Sequence, residues 1–172
     1  NKPLDTVPNL IYLKNGEVIR NASAKALSYD QLACPTFDAL PLSKYLMPYP
    51  VLPYMASRGC YWGKCTFCTH SFIYDSHYRK ENEERVAEEL DYLGKRYKTK
   101  YFTFSDEAIS PNAFDRMSKA ILSQGVEMRA LGMLKFESDS IETVELFKNM
   151  YKAGFLMLFF GLESANDRIL SI

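Results

Sequence analysis

From Val51 onward, short apolar runs alternate with stretches of helical periodicity, and that alternation constrains the fold more than any other feature of the chain. VLPYMAS is apolar and ends at a loop rich in cysteine. After a polar stretch, NEERVAEELDYLGKRY places Val86, Leu90, Leu93 and Tyr97 at helical spacing. KYFTFSDEAI is a β-rich, aromatic run. Ser110 and Pro111 then supply an N-cap and a first-turn proline for PNAFDRMSKAILSQ, with Gly125 as the stop. VEMRALGMLKFE reads as a third strand. Asp139 and Glu142 open a helix through Val144, Phe147 and Tyr151, and Gly154 ends it before FLMLFFGLES, a fourth strand from Phe155 to Gly161.

Repeated strand–helix units with short connections predict a parallel sheet. Right-handed crossovers then put every strand's C-terminal tip on one edge, where ligands bind in such folds. The expected class is α/β: a partial (β/α) barrel with a parallel sheet of about four strands, too few to close an eight-stranded barrel. Residues 51–172 form this half-barrel. Residues 1–50 read as an irregular N-terminal arm, with a small hairpin around Asn15-Gly16 and then a run dotted with Pro35, Pro41, Pro48, Pro50 and Pro53. The chain starts at Asn1 and SANDRILSI reads as an opening helix, so a piece of a longer protein is expected.

Composition narrows the partners. With 21 basic and 21 acidic residues interspersed, the net charge is zero, so no field draws nucleic acid or anionic membrane to this segment. No apolar run is long enough to span a bilayer and no signal peptide is visible, so a cytoplasmic protein without membrane contact is expected. An apolar fourth strand at a sheet edge is a pairing hazard. Self-association through it, or coverage by the N-terminal arm, is expected.

The loop GCYWGKCTFCTH holds Cys60, Cys65 and Cys68 at C-x4-C-x2-C spacing. In a reducing compartment three clustered thiols point to metal ligation or catalysis rather than disulfides. Three thiolates suit a four-iron cluster with one open iron. A zinc site completed by His70 or His77, an all-cysteine site recruiting Cys34, and unligated core or redox cysteines are the other readings. If structural, the loop would be a non-catalytic metal module for partner binding.

Position favours the cluster. A cysteine loop directly after the first strand of a βα array resembles the radical S-adenosylmethionine superfamily, with Phe67 just before the third cysteine as that family's loop usually has. The family's usual spacing is C-x3-C-x2-C. Here Tyr61-Trp62-Gly63-Lys64 is one residue longer, and Gly63 can absorb it with a backbone angle other residues disfavour. The resemblance implies a [4Fe-4S] cluster on the three cysteines, S-adenosylmethionine on the open iron, and reductive cleavage to a 5′-deoxyadenosyl radical that attacks a small-molecule or peptide substrate. The electron would come from a donor such as flavodoxin or ferredoxin.

Further cofactor contacts follow from the same resemblance. Ser105, Asp106 and Glu107 stand where the family holds the methionine amino group, with Asp106 or Glu107 as the acceptor. Lys135 and Glu137 stand where ribose contacts fall, and Glu163 and Ser164 lie in a Gly-Leu-Glu-Ser turn beside ribose and carboxylate. Phe67, with Tyr61 or Trp62, would pack near adenine or shield the cluster. Read without the family, Ser105 to Glu107 are a polar loop, Lys135 and Glu137 are solvated charges, and Phe155 to Phe160 are core covered on both sheet faces. The arm, with IYLKNGEVIR, DALPLSKYL and PVLPYMASRGC, resembles the connector after a cobalamin-binding domain, which implies cobalamin held outside this chain. A methylthiotransferase acting on transfer RNA belongs to the same superfamily, but the neutral charge argues against it for this segment.

Overall fold

The computed structural model describes residues 2–25, 27–69, 78–135 and 141–170. They form two compact units, Asn1–Leu32 and Ala33–Ile172. In the first, strands β1 (Ile11–Lys14) and β2 (Glu17–Arg20) pair antiparallel. Asn15 and Gly16 both have positive φ (54° and 85°), the combination a two-residue hairpin turn requires. Asn21 Nδ2 donates to the carbonyls of Leu4 (2.7 Å) and Val7 (2.8 Å), tying the leading turn to the hairpin.

The second unit is α/β. Strands β3 (Val51–Tyr54), β6 (Tyr101–Phe104), β7 (Arg129–Leu134) and β8 (Phe155–Phe160) form a parallel sheet in that spatial order. Between β3 and β6, a short pair of β4 (Ser57–Arg58) and β5 (Arg79–Lys80) closes the base of the cysteine loop, and helix α1 (Glu83–Tyr97) follows. Helices α2 (Pro111–Ser123) and α3 (Ile141–Ala153) fill the next two crossovers, and α4 (Asp167–Leu170) follows β8.

Local chemistry sets these boundaries. Asn82 caps α1 through its side-chain oxygen on the Glu84 and Arg85 N–H groups, and Ser110 caps α2 ahead of Pro111. Gly125 takes φ +66° just past α2. Gly154 has φ +107°, and a Cβ there would lie 2.1 Å from the Met128 carbonyl oxygen, so only glycine fits between α3 and β8.

The core lies between the sheet and the helices. Leu52, Tyr54, Phe102, Phe104, Ala130 and Leu134 point to the helices, alternating with more exposed neighbours. Phe155 meets both Phe104 (5.1 Å between centroids) and Phe114 of α2 (5.2 Å). Gly132 leaves room for Phe114, whose ring would be 3.2 Å from an added Cβ. Residues 33–50 pack on the same unit: Phe37 meets Tyr97 edge-on and Tyr49 stacks on Tyr101 at 3.7 Å. Asp38 accepts from Arg96 and the Tyr97 hydroxyl, which hold its carboxyl down to about 2.

One packing expectation is corrected. The fourth strand is not covered on both faces: Phe155 is buried, but Leu156, Met157 and Phe159 are each at least half exposed, because the helices cover one face of the sheet among the described residues. Helix α3 carries its apolar residues on more than one face. It buries Leu146, Met150 and Ala153, with Phe147 partly buried against Phe160, while Val144 and Tyr151 face solvent. Two apolar stripes fit helical spacing there, and only one lies over the sheet.

Candidate functional site

The tips of β3 and β6 are locked together. Asp106, 4% exposed, accepts hydrogen bonds from Ala56 N (3.2 Å) at one oxygen and from Ser57 N (2.5 Å) and Ser57 Oγ (2.6 Å) at the other. Burial nevertheless pushes this carboxyl up to about 6, against the pull of those donors. Ser105 gives both its N–H and its hydroxyl to the Tyr54 carbonyl, at 2.9 and 3.2 Å. Both side chains are thus engaged in holding the strand edge. Next to them, Glu107 is partly buried and its Oε2, shut off from solvent, has no hydrogen-bond partner among the described residues. A buried acceptor without a donor is costly, and an ammonium or hydroxyl ligand would satisfy it.

The cysteine loop leaves from this edge. Cys60 forms a parallel bridge with Ala108, so the first thiol is anchored beside the β6 tip. Gly63 takes φ +61°, and an added Cβ would meet only the Cys60 carbonyl, at an ordinary 3.6 Å. The backbone angle, rather than lack of room, therefore calls for glycine in the longer spacer. The Cys68 N–H donates to the Cys65 carbonyl at 3.2 Å, closing a tight turn between the second and third thiols.

The thiols share one electrostatic neighbourhood. Partial desolvation first, then repulsion from Cys60, Cys68 and Glu163, pushes the Cys65 thiol up, and the Lys135 ammonium pulls it down. Side chains from the loop, the β7 tip and the β8 tip therefore converge. Cys34 lies elsewhere: its surroundings are Glu89 and Arg85 of α1, and burial raises its thiol to about 11. Cys34 is partly buried against the hydrophobic core. His70, His77 and Glu137 lie outside the described residues. Among the described residues, no three His, Cys, Asp or Glu side chains already stand together as a metal-ion site.

The aromatic residues of the loop divide in their contacts. Tyr61 packs edge-on against Tyr78 at 6.2 Å. Phe67 is 66% exposed, open to a partner rather than packed beneath the loop. Trp62 has the Lys135 ammonium 4.0 Å from its ring centroid and that of Lys64 at 5.2 Å. Sequence reasoning singled out Lys135 but not its pairing with Trp62, since the two are far apart in the chain and no local pattern links them.

At the β8 tip Glu163 sits in left-handed backbone, φ +56°, and its Oε1 would lie 2.9 Å from a Cβ on Gly161. The carboxylate folds back over Gly161, and a side chain at that position would displace it. Ser164 Oγ accepts from Asn166 N (3.1 Å), and Asn166 Oδ1 accepts from Arg168 N, starting α4. Non-glycine residues in this region cost energy and cluster at ligand sites.

No protein-family model matches the chain. Its fold is that of a solved structure, the apo, selenomethionine-labelled cobalamin-dependent S-adenosylmethionine radical enzyme OxsB. The two superpose over 98% of this chain with a TM-score of 0.73 and 21% identity, and the chain spans 26% of that structure. In sequence it is 32% identical, over 177 aligned residues, to an uncharacterized methyltransferase of Pyrococcus horikoshii. That alignment takes in 98% of this chain and 37% of the relative.

Proposed function

We propose that this chain is the cofactor-binding segment of a larger radical S-adenosylmethionine enzyme, with Cys60, Cys65 and Cys68 as the protein ligands of a [4Fe-4S] cluster. The observation that supports it is that Cys60, Cys68, Glu163 and Lys135 all act electrostatically on Cys65, at the strand edge where Glu107 has an unsatisfied oxygen among the described residues. The donor set fits: three soft thiolates leave one iron open. Held by Cys60, Cys65 and Cys68, such a cluster would supply one-electron reduction of S-adenosylmethionine bound at its open iron.

The chain's own residues bind and orient. Glu107 accepts from the amino group of S-adenosylmethionine, because Asp106 is already engaged with Ala56 and Ser57. Glu163 and Ser164 face ribose and carboxylate from the β8 tip, and Phe67 covers the adenine, supplying apolar area at little entropic cost. Lys135 places a positive charge by the thiolates. The name of the relative supports methyl transfer, and that of the structural neighbour supports cobalamin, held outside these residues. A flavodoxin or ferredoxin serves as electron donor.

Anaerobic reconstitution tests this reading. The chain is expected to take up roughly three to four irons, to lose them on replacement of Cys60, Cys65 or Cys68 by alanine, and to keep them in Cys34→Ala. Stoichiometric zinc with no iron uptake would sink it. Glu107→Gln is expected to weaken S-adenosylmethionine binding by about tenfold or more, measured by calorimetry on the loaded chain, with Asp38→Asn unaffected.

A further inference from the structure

The extra residue between Cys60 and Cys65 brings with it the chain's only tryptophan. Gly63 turns the backbone directly after Trp62 with φ +61°. The indole meets Lys135 at the β7 tip, 4.0 Å from ring centroid to ammonium, with Lys64 at 5.2 Å. Lys135 in turn counts among the charges acting on Cys65. The ring is 40% exposed, so an aqueous quencher can reach it.

We propose that Trp62 and Lys135 form a latch between the cysteine loop and the β7 tip, fixing the loop over the sheet edge and holding the Lys135 ammonium beside the thiols. Both are positioning residues. The latch stands on the geometry of the chain alone. Its consequence for a cluster rests on the function proposed above.

The indole face carries negative quadrupolar charge, so an ammonium over it is attracted, and a partly desolvated pair is stronger than an exposed one. Opening the loop separates the two groups and exposes the ring. The lysine is also the cation most able to offset charge on the thiolates, because a side chain pinned by a rigid ring loses less freedom than one in open solvent.

Trp62 fluorescence tests the latch in the metal-free chain, excited where tyrosine does not absorb. Lys135→Met and Lys135→Gln are each expected to raise the open population about two- to fivefold, read as stronger acrylamide quenching and red-shifted emission. Lys135→Arg keeps the wild-type signal, since a guanidinium also sits over an indole. Lys64→Met gives a smaller change. Wild-type quenching in either folded neutral variant, judged by circular dichroism, overturns the latch. In the iron-loaded chain, Lys135→Met is expected to shift the cluster's reduction potential to more negative values and Lys135→Arg to restore it. An unshifted potential removes the electrostatic role. A chain that takes up no iron refutes the function proposed above, while the fluorescence still decides the latch.

Discussion

The tips of β6 and β8 both present a carboxylate to the same sheet edge, yet Asp106 and Glu163 are held in opposite ways. Asp106 is buried and accepts three hydrogen bonds from the β3–β4 turn. Glu163 is exposed, on left-handed backbone, turned back over Gly161. One carboxylate is used up by the fold, and the other is kept at a conformational cost. An acidic residue at a strand tip is therefore not a binding group by position alone. Its existing partners decide.

Breaking the first half of this contrast has the largest effect. Asp106→Ala leaves two N–H groups and a hydroxyl buried without an acceptor, and about 3–5 kcal/mol of stability is expected to go in urea titration. A loss below about 1 kcal/mol would show that the edge is not braced there.

The pH dependence of the same group comes next. Its folded pKa, about 6, lies above the ordinary 3.8, so the folded state binds the proton more tightly. The resulting stability is fully present below about pH 4 and is lost as pH rises through about 6, on the order of 3 kcal/mol in total at about 1.4 kcal/mol per pH unit. Asp106→Asn removes this dependence. Denaturation midpoints of the two proteins from pH 4 to 7 should therefore diverge, and parallel curves would mean that the three donors keep the carboxylate ionised.

The smallest effect belongs to the other tip. Glu163→Gly relieves left-handed strain but adds freedom to the unfolded chain, so a net gain of about 0.5 kcal/mol is expected. A clear loss of stability in the metal-free chain would mean that Glu163 braces the fold as Asp106 does, and the contrast would vanish.

The parts of the fold that carry their own local signals were legible in the sequence. Asn15-Gly16, Ser110-Pro111, Gly125 and Gly154 each stand where a turn, cap or stop needs that residue type. The parallel order of the strands followed from repetition. What could not be read depends on what lies across from a residue. Val144 and Leu146 are equally apolar, and only the sheet beneath α3 separates the exposed one from the buried one. The Asp106–Ser57 brace joins positions 49 residues apart, and the Trp62–Lys135 pair is more remote still. Cys34 counted toward the thiol tally although its neighbours are Glu89 and Arg85.

The strand order β3, β6, β7, β8 has a consequence for how the chain is made. Each strand's partner is the strand of this sheet synthesised just before it, so pairing never waits for a distant, later segment. Chain growth and sheet growth run in the same direction. By the time the ribosome reaches the Glu163 tip, the three thiols and the Asp106 brace have already been made.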